Sequence, residues 1–493
     1  MNKKRAISVL ALIVVLALAV GILVACNHYE WNSVGMGESG ANVVSNGGYV
    51  VEQGKYVYFI NGYVGDNDNN EWGTPYKQSI MRAEKNADGT INNDTAVVVV
   101  PKSIYNKSVN GGFAIYGDWI YYATPNNEKD KNGTPSTTHT DFMRTRTDGA
   151  ITQRIGTINS RESEYLFTPT RVLYRTNTST VYYFDFSGMR TDKSLDNGKG
   201  VTSGTLIENA SSIMWGYDAD WAVNAGTVVS DYVFYTETIT GDDSYKHYNN
   251  LCAIKYDGSD KRVLATIDSY LAEGEDDVNN YQKVFTFALG DIYFENDDTV
   301  TLYYSKSIYE NAAASNVGLY SNTFSVKDGF SVANEKKVTS NNLTAFYALG
   351  GDKGVLAAKD SNLYLLNGTD NYSDANLVVG GERSATVQGV VGDYVYYTVS
   401  NSTALYRINL VKGTGSSPNE DTVIKEGVKS DWLSIEFIGN RVYFFNTEDY
   451  SYVNYVDLDK FTGDELAPTL VGKMTQADLE AKEKEEEENE DKE

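Results

Sequence analysis

The sequence is poor in the residues on which many enzymes and metalloproteins depend. Its 493 residues include 3 histidines and 2 cysteines. Because His28, His139 and His247 lie far apart in the chain, a histidine-based metal site or a nucleophile–histidine triad is poorly supported. A glycine-rich phosphate loop between a strand and a helix is also absent, which argues against a nucleotide site of that kind.

Helical periodicity is missing from the body of the chain, and 7 residues in all are proline. The composition instead includes 43 glycines and 38 tyrosines. Glycine suits tight turns and tyrosine is enriched in strands, so this balance is typical of many short strands joined by turns. These features favour an all-β fold.

One short phrase of sequence recurs through the chain. Its clearest copy covers residues 392–397, with the sequence Gly-Asp-Tyr-Val-Tyr-Tyr, and continues at residues 405–409 with Leu-Tyr-Arg-Ile-Asn. The Gly-Asp pair suits a tight turn, and the alternating aromatic and β-branched residues suit two half-buried strands. The other copies lie at residues 54–59, 117–122, 171–174, 230–235, 290–294 or 301–304, 354–357 and 439–445.

The spacing of the copies indicates the architecture. A period of roughly 40 to 65 residues that contains strand signals alone is typical of four-stranded propeller blades. A lone blade cannot bury both faces of its sheet, whereas blades packed around an axis bury them against their neighbours. We therefore predict an all-β fold, a β-propeller over residues 48–474, with eight blades. Seven blades are the alternative, because the third, fifth and sixth copies are degenerate.

The repeated phrases resemble the tyrosine-rich repeats of an uncharacterised family of bacterial lipoprotein β-propellers, related to the propeller of the low-density lipoprotein receptor. The resemblance spans about residues 48–474 and is strongest in the Gly-Asp-x-Val/Ile-Tyr-Tyr and Leu-Tyr-Arg-Ile-Asn pieces. The Tyr-Trp-Thr-Asp signature of the receptor family is absent. The resemblance implies the fold and an extracytoplasmic location, and it transfers no site residue.

The N-terminal residues 1–25 form a predicted targeting segment. Three basic residues, Lys3, Lys4 and Arg5, precede an apolar run that ends in Leu-Val-Ala-Cys at Cys26. This ending resembles a bacterial lipobox, in which the bond before the cysteine is cut and the cysteine is lipidated. The alternative is an uncleaved membrane helix, because the apolar run is near the spanning length. Both interpretations place the body outside the cytoplasm, at the cell membrane.

Two polar segments flank the predicted propeller. Residues 26–47 are rich in Gly, Ser and Asn and are predicted to be a flexible tether. Residues 475–493 form an acidic low-complexity tail. The net charge of the whole chain is −25, so we expect no nucleic-acid partner and contact with the membrane through the N-terminal lipid alone.

A polar stretch near residue 70 is the one candidate cation site. Asp66, Asp68 and Asn70 place oxygen atoms at alternate positions, as a calcium loop requires. An EF-hand would need glycine at the position of Glu71, so a solvated polar loop competes with this interpretation. We expect no other cofactor. The remaining cysteine, Cys252, lies in an apolar strand phrase and is predicted to be a small core residue.

Long insertions between the repeats are predicted to share one face of the ring. When the strands of each blade are lettered A to D, the B–C and D–A connections emerge together, opposite A–B and C–D. Six insertions fall in B–C or D–A connections, and residues 192–203 fall on the other face. The six are residues 62–78, 125–140, 215–222, 238–250, 269–281 and, on one parsing, 306–317.

Aromatic residues in these insertions are the candidate ligand contacts. Tyrosines inside the repeat phrases are expected to pack between blades, whereas no strand pattern explains the aromatics of two insertions. Aromatic side chains on a rigid scaffold make good anchors for sugar rings or protein side chains. The competing interpretation is that they pack against neighbouring blades. The predicted ligand-binding residues are Trp72, Tyr76, Trp215, Tyr217 and Trp221.

Together these features predict a lipid-anchored, non-enzymatic propeller that binds an envelope protein or a glycan at the bacterial cell surface. One alternative is an enzyme that acts on envelope polysaccharide. Acidic residues are too common in this chain for a catalytic carboxylate pair to be chosen. Another alternative is a structural spacer or the sensing subunit of an envelope complex.

Replacing Cys26 with Ser tests the predicted anchor. We expect Cys26→Ser to prevent lipid attachment and the cleavage before residue 26, because the lipid would have no thiol to modify, so the chain should keep residues 1–25 and lack the mass of the lipid. Fractionation of cells and the mass of the mature chain measure both effects. A Cys26→Ser chain that is still processed, and still partitions with membranes through its N-terminus, would contradict the prediction.

Overall fold

The structure is a computed structural model in which the described parts of the chain alternate with gaps. The described residues are 34–38, 43–44, 48–61, 79–102, 104, 112–126, 139–160, 164–176, 179–191, 198–215, 231–240, 246–271, 281–296, 298–310, 313–330, 335–340, 343, 346–350, 353–367, 372–373, 376–381, 383–410, 422–428, 435–445, 452–472 and 484.

The first half of the chain forms one short strand and then four blades. The short strand is β1 (Val43–Val44). Each blade is an antiparallel meander of four consecutive strands, A to D. Blades one to four consist of β2 (Val50–Gln53), β3 (Tyr56–Ile60), β4 (Ile80–Lys85) and β5 (Ile91–Val100); β6 (Phe113–Tyr116), β7 (Trp119–Pro125), β8 (Thr140–Arg146) and β9 (Thr152–Ile158); β10 (Glu164–Phe167), β11 (Arg171–Arg175), β12 (Val181–Asp185) and β13 (Thr202–Ile207); and β14 (Ala210–Trp215), β15 (Tyr232–Thr240), β16 (Lys246–Lys255) and β17 (Arg262–Leu271).

The second half of the chain repeats the pattern four more times. A short 3-10 helix, Leu458–Lys460, follows the third strand of the last blade. Blades five to eight consist of β18 (Tyr281–Phe294), β19 (Thr299–Glu310), β20 (Ala313–Ser325) and β21 (Lys336–Thr339); β22 (Phe346–Ala348), β23 (Val355–Lys359), β24 (Asn362–Leu366) and β25 (Leu377–Val379); β26 (Ala385–Val391), β27 (Tyr394–Val399), β28 (Leu405–Asn409) and β29 (Thr422–Lys425); and β30 (Glu436–Ile438), β31 (Arg441–Phe445), β32 (Val453–Asp457) and β33 (Thr469–Leu470).

The eight-bladed prediction is confirmed, and the seven-bladed alternative is wrong. The fifth copy of the phrase was ambiguous because two stretches fit it. The structure places residues 290–294 in β18, which is strand A, and residues 301–304 in β19, which is strand B. The degenerate third and sixth copies also form complete blades, with strands B and C at the predicted residues.

The first two residues of the phrase, Gly-Asp in the clearest copy, form the two-residue turn of the hairpin between strands A and B. In blade seven Val391 pairs with Tyr394 across this turn, and Gly392 has a φ of 60°. A positive φ at the first turn residue is typical of the type II′ hairpin, which favours glycine there. A Cβ atom at Gly392 would meet nothing within 4 Å, so the backbone angle and not the available space requires glycine.

Tyrosines of the repeat phrases pack between blades, as predicted. Tyr122, Tyr235 and Tyr397 are among the largest fully buried side chains. Some tyrosine hydroxyls donate to a backbone carbonyl of an adjacent blade. Tyr116 Oη in blade two donates to Phe167 O in blade three over 2.6 Å. The tyrosines of the phrase therefore supply apolar contact between blades, and Tyr116, just before the phrase in strand A, adds a hydrogen bond between blades.

Arginine side chains connect successive blades near the C–D turns. In four junctions, an arginine of one blade donates to a backbone carbonyl in the C–D connection of the next. The contacts are Arg82 to Thr147 O, Arg144 to Arg190 O and Arg171 to Tyr256 O, each 3.1 Å, and Arg441 to Gly89 O. The last of these joins blade eight to blade one, so the ring closes by the same contact.

Each of these guanidinium groups also lies over an aromatic ring of its own blade. Arg82, from strand C of blade one, lies 4.3 Å from the ring centre of Tyr56 in strand B. In blade three the roles are exchanged, because Arg171 comes from strand B and lies 4.2 Å from the ring of Tyr183 in strand C. In both blades, the arginine and the aromatic residue occupy diagonally opposed positions on the antiparallel strands B and C. When the two residue types are exchanged between these positions, the guanidinium therefore stays in an equivalent place in the blade.

Side chains of strands A and B also join blade eight to blade one. Glu436, in strand A of blade eight, accepts hydrogen bonds from the backbone N–H groups of Tyr49 and Val50 at the start of blade one. Glu52 of blade one accepts from Tyr443 Oη over 2.8 Å and pairs with Arg441 at 3.3 Å. Both terminal blades consist of consecutive strands, so these contacts, rather than an exchanged strand, join the ends.

Substitution of Arg441 tests the closure. We expect Arg441→Gln to lower the free energy of unfolding by about 2 kcal/mol, because a half-buried charged donor is removed from two partners in blade one. The midpoint of urea unfolding measures the effect. Arg175→Gln is the matched control, because Arg175 pairs with Glu164 inside blade three and should cost under about 1 kcal/mol. Equal shifts for the two variants would contradict the role of Arg441 in closure.

Candidate functional site

The connections between strands sort onto two faces of the ring. We call the face with the B–C and D–A connections the upper face, and the face with the A–B and C–D connections the lower face. The flanking strands confirm the upper face for five of the predicted insertions, and they confirm the lower face for residues 192–203. The five are residues 62–78, 125–140, 238–250, 269–281 and 306–317.

The prediction for the sixth insertion, residues 215–222, is wrong. Trp215 is the last residue of β14, strand A of blade four, where it pairs with Val233 of strand B. The residues that follow therefore connect A to B and leave from the lower face. The sequence of β14, Ala-Ser-Ser-Ile-Met-Trp, lacks the alternation that marks a strand, which is why it was not recognised. Tyr217 and Trp221 lie outside the described residues.

The other predicted site residues also lie outside the described residues. These are Trp72, Tyr76, the calcium candidates Asp66, Asp68 and Asn70, and the lipidation candidate Cys26. Among the described residues, no three His, Cys, Asp or Glu side chains are grouped so as to hold a metal ion. In the same part of the chain, no helix has the length and apolar character needed to cross a membrane.

Buried polar residues fix the base of the first insertion. Asn61 and Ser79, the described residues on either side of it, are both buried. The Asn61 N–H donates to Ser79 O over 2.8 Å, which closes the base like one more rung of the β3–β4 ladder. The chain therefore leaves and re-enters blade one at a fixed place on the upper face.

A carboxylate fixes the base of the second insertion. Asp141 accepts from Asn126 Nδ2 over 2.9 Å and from Thr157 Oγ1 over 2.5 Å. The backbone N–H of Asn126 donates to His139 O over 3.1 Å. Strands B, C and D of blade two are thus tied together where the insertion begins, which provides the rigid support that a binding loop needs.

Blades four and five join into one continuous sheet. Strand D of blade four, β17, pairs with strand A of blade five, β18, through Tyr270 with Lys283 and Leu271 with Tyr281. The result is an eight-stranded sheet, β14 to β21, which we call the shared sheet. Elsewhere in the described chain, neighbouring blades form separate sheets of four strands, with β1 added to blade two.

The shared sheet extends beyond the ring on the upper face. Strands β18, β19 and β20 contain 14, 12 and 13 residues, whereas β27 and β28 of blade seven contain 6 and 5. Two insertions that we treated as loops, residues 238–250 and 306–317, are mainly extensions of these hairpins. Their residues continue the strand ladder, so the extension has the rigidity of a sheet. Ile239, on this extension, is 44% exposed.

A polar cluster supports the shared sheet in blade four. Glu237 accepts from Lys261 Nζ over 3.0 Å and from Asn250 Nδ2 over 3.3 Å. The Cys252 thiol lies 3.5 Å from the same carboxylate and is fully buried, as predicted for a core residue. Burial, with a smaller effect of Glu237, raises the pKa of Cys252 to about 12. This thiol is therefore protonated and shielded at neutral pH, unlike a catalytic nucleophile.

A matching cluster with exchanged charges supports blade five. Lys306 is two residues after Tyr304 in strand B, as Glu237 is two residues after Tyr235 in blade four. Glu335 accepts from both Lys306 Nζ and Tyr304 Oη. Burial and the bond to Glu335 raise the pKa of Tyr304 above that of a free tyrosine. In both clusters the carboxylate is paired with a lysine of another strand or its flank. These contacts hold the strands of the sheet together.

Comparisons with known proteins find distant structural likeness and no match by sequence. No protein-family model matches the sequence, and no curated protein matches it. Apo AztD from Citrobacter koseri is 10% identical, with 81% of this chain and 93% of that chain covered and a TM-score of 0.38. Saccharomyces cerevisiae Sqt1 is 8% identical, with 73% and 83% covered and a TM-score of 0.35. A chain of a nidogen/laminin complex is 10% identical, with 70% and 89% covered and a TM-score of 0.24.

Thiol titration tests the structural role of Cys252. We expect the native Cys26→Ser protein, in which Cys252 is the one thiol, to react with less than about 0.1 equivalent of a thiol reagent at pH 8, because this thiol is buried and its pKa is raised. Unfolding in urea should expose one further reactive thiol. Ile239→Cys, at an exposed position of the same blade, is the positive control. Rapid reaction of the native wild-type Cys252 would contradict the structural assignment.

Proposed function

We propose that this propeller is a non-enzymatic binding protein held at the outer face of a bacterial cell membrane by a lipid on Cys26. The basic residues, the apolar run and the Leu-Val-Ala-Cys ending support the anchor, and the resemblance to lipoprotein propellers agrees with it. A protein of the envelope or a glycan is the proposed partner. The strongly negative chain makes nucleic acid an unsuitable one.

The upward extension of the shared sheet is the observation that carries the proposal. It breaks the regular repetition of the ring at two neighbouring blades, on the same face as the insertions of blades one and two. Closure of a propeller does not require strands of this length. A rigid projection beside insertions with fixed bases is the arrangement that presents contact residues to a partner.

The charge pairs in the described residues support binding over catalysis. Acid–base catalysis needs a carboxylate that can exchange a proton with a substrate. Beneath the extension, the buried Glu237 and the exposed Glu335 are each held by a lysine and by a neutral donor. Their arrangement positions strands and leaves the upper surface for contact with a partner.

A charge placed on the extension tests the proposed surface. We expect Ile239→Glu to weaken binding about 10-fold or more, because an unpaired charge would be buried against the partner. Val263→Glu is the matched control, since Val263 is 53% exposed on the outer strand of the same blade, below the extension. Co-sedimentation with purified envelope polysaccharide and cross-linking to envelope proteins on intact cells measure the two ligand classes.

Substitutions in two insertions locate the site further. Trp72→Ala should weaken the same interaction without changing the melting temperature, because its insertion rises from the upper face. Loss of binding with Trp221→Ala alone would move the site to the lower face and contradict the proposal. Equal binding by Ile239→Glu and Val263→Glu would also contradict it, and shortening of the polysaccharide would show an enzyme instead.

A further inference from the structure

The residues just after the proposed anchor are fixed to the lower face of the ring. Arg82 Nη2 donates to Gly35 O over 2.8 Å, and the Gly37 N–H donates to Thr147 Oγ1 over 3.2 Å. Glu38 accepts from the backbone N–H of Lys55 over 3.1 Å. Thr147 lies in a C–D turn and Lys55 in an A–B turn, and both kinds of turn belong to the lower face.

This segment fits closely against a rigid part of the ring. A Cβ atom built on Gly37 would lie 2.3 Å from Tyr58 Oη and 3.1 Å from the Cβ of Thr147. Arg82, which holds the segment, is buried and also makes the contact between blades one and two. The segment is therefore bound by the same arginine that helps to hold the ring together.

The chain then crosses the ring from the lower to the upper face. β1 pairs with the inner edge of blade two, with Val43 opposite Ile115 and Val44 opposite Ala114. Because this pairing is antiparallel to β6, the chain runs upward and reaches the upper face at Tyr49, whose carbonyl accepts from the Ile60 N–H. Val43 and Val44 thus form a strand within the segment that we predicted to be a flexible tether. Residues 34–38, where the described chain begins, lie on the lower side.

The length of chain between the anchor and this segment is short. Val34 is eight positions after Cys26 in the sequence. A fully extended chain spans about 3.5 Å per residue, so the two positions can be at most about 28 Å apart. We infer that the lower face of the propeller is turned toward the membrane and that the upper face, with the shared sheet and the insertions, is presented outward.

This orientation rests on the proposed anchor at Cys26. It extends the proposed function by giving the direction from which the partner approaches. A ligand of the upper face would approach from outside the cell rather than from the lipid surface. An uncleaved apolar run would impose the same orientation, because it too would end just before the bound segment. The partner class that suits this display is an envelope protein or a glycan that extends beyond the membrane.

Energy transfer in liposomes tests the orientation with the lipidated full-length protein. The shielded Cys252 leaves a nearly thiol-free background, so single exposed cysteines can be labelled. Ala87→Cys places a donor dye in the lower C–D turn of blade one, and Ile239→Cys places it on the upper extension. With an acceptor dye in the lipid headgroups, we expect severalfold higher transfer from the lower position. Equal transfer, or higher transfer from Ile239→Cys, would overturn the inference.

Two glycine substitutions test the cause of the orientation. Gly37→Ala should reduce the difference in transfer between the two positions, because the added methyl group would displace residues 34–38 from Tyr58. Gly35→Ala is the matched control, since a Cβ atom there meets nothing within 4 Å. A difference that survives Gly37→Ala would overturn the role of this segment.

The outcomes separate the orientation from the anchor. Wild-type protein that does not partition into liposomes would overturn both. Membrane-bound protein with equal transfer would overturn the orientation alone.

Discussion

At four of its eight junctions, the ring depends on the contact between an arginine guanidinium of one blade and a backbone carbonyl in the C–D connection of the next. The guanidinium is planar and delocalised, so it can lie over an aromatic ring while its N–H groups donate within their plane. Because a backbone carbonyl is the acceptor, the residue type at this position of the turn can vary, provided that the backbone keeps its shape. Thr147, Arg190, Tyr256 and Gly89 fill this one role in four junctions.

The same contact explains why the two faces of the ring differ. On the lower face, four C–D turns are held by an arginine of the preceding blade, and residues 34–38 are bound to Arg82 and Thr147. On the upper face, the bases of the first two insertions are held by contacts within their own blades, as at Asn61 with Ser79. These two insertions therefore leave the arginine contacts intact, whereas a change of backbone shape at one of the four lower carbonyls would disturb its contact.

The sequence predicted the fold well where strands have a regular pattern. In the clear copies, aromatic and β-branched residues mark strands B and C, and the repeat located these strands, whereas it left two candidates for strand B of blade five. Strand A of blade four could not be located, because Ser211 and Ser212 interrupt its pattern and its strand state depends on pairing with β15. The extension of the shared sheet was missed for a related reason. Its polar residues resemble a loop, and only the register with neighbouring strands makes them strands.

The role of the arginines could not be predicted either, because each contact joins residues far apart in sequence. Arg441 and Gly89 are 352 positions apart. The sequence around Arg441 is typical of an ordinary strand, and the sequence around Gly89 is typical of an ordinary turn. The candidate site has the same property. Its rigidity comes from the long ladders of the shared sheet, and the pairing of β17 with β18 joins two blades that the repeat pattern treats as separate. Because these ladders hold the extension in place, a partner would meet a preformed surface and lose less conformational entropy on binding.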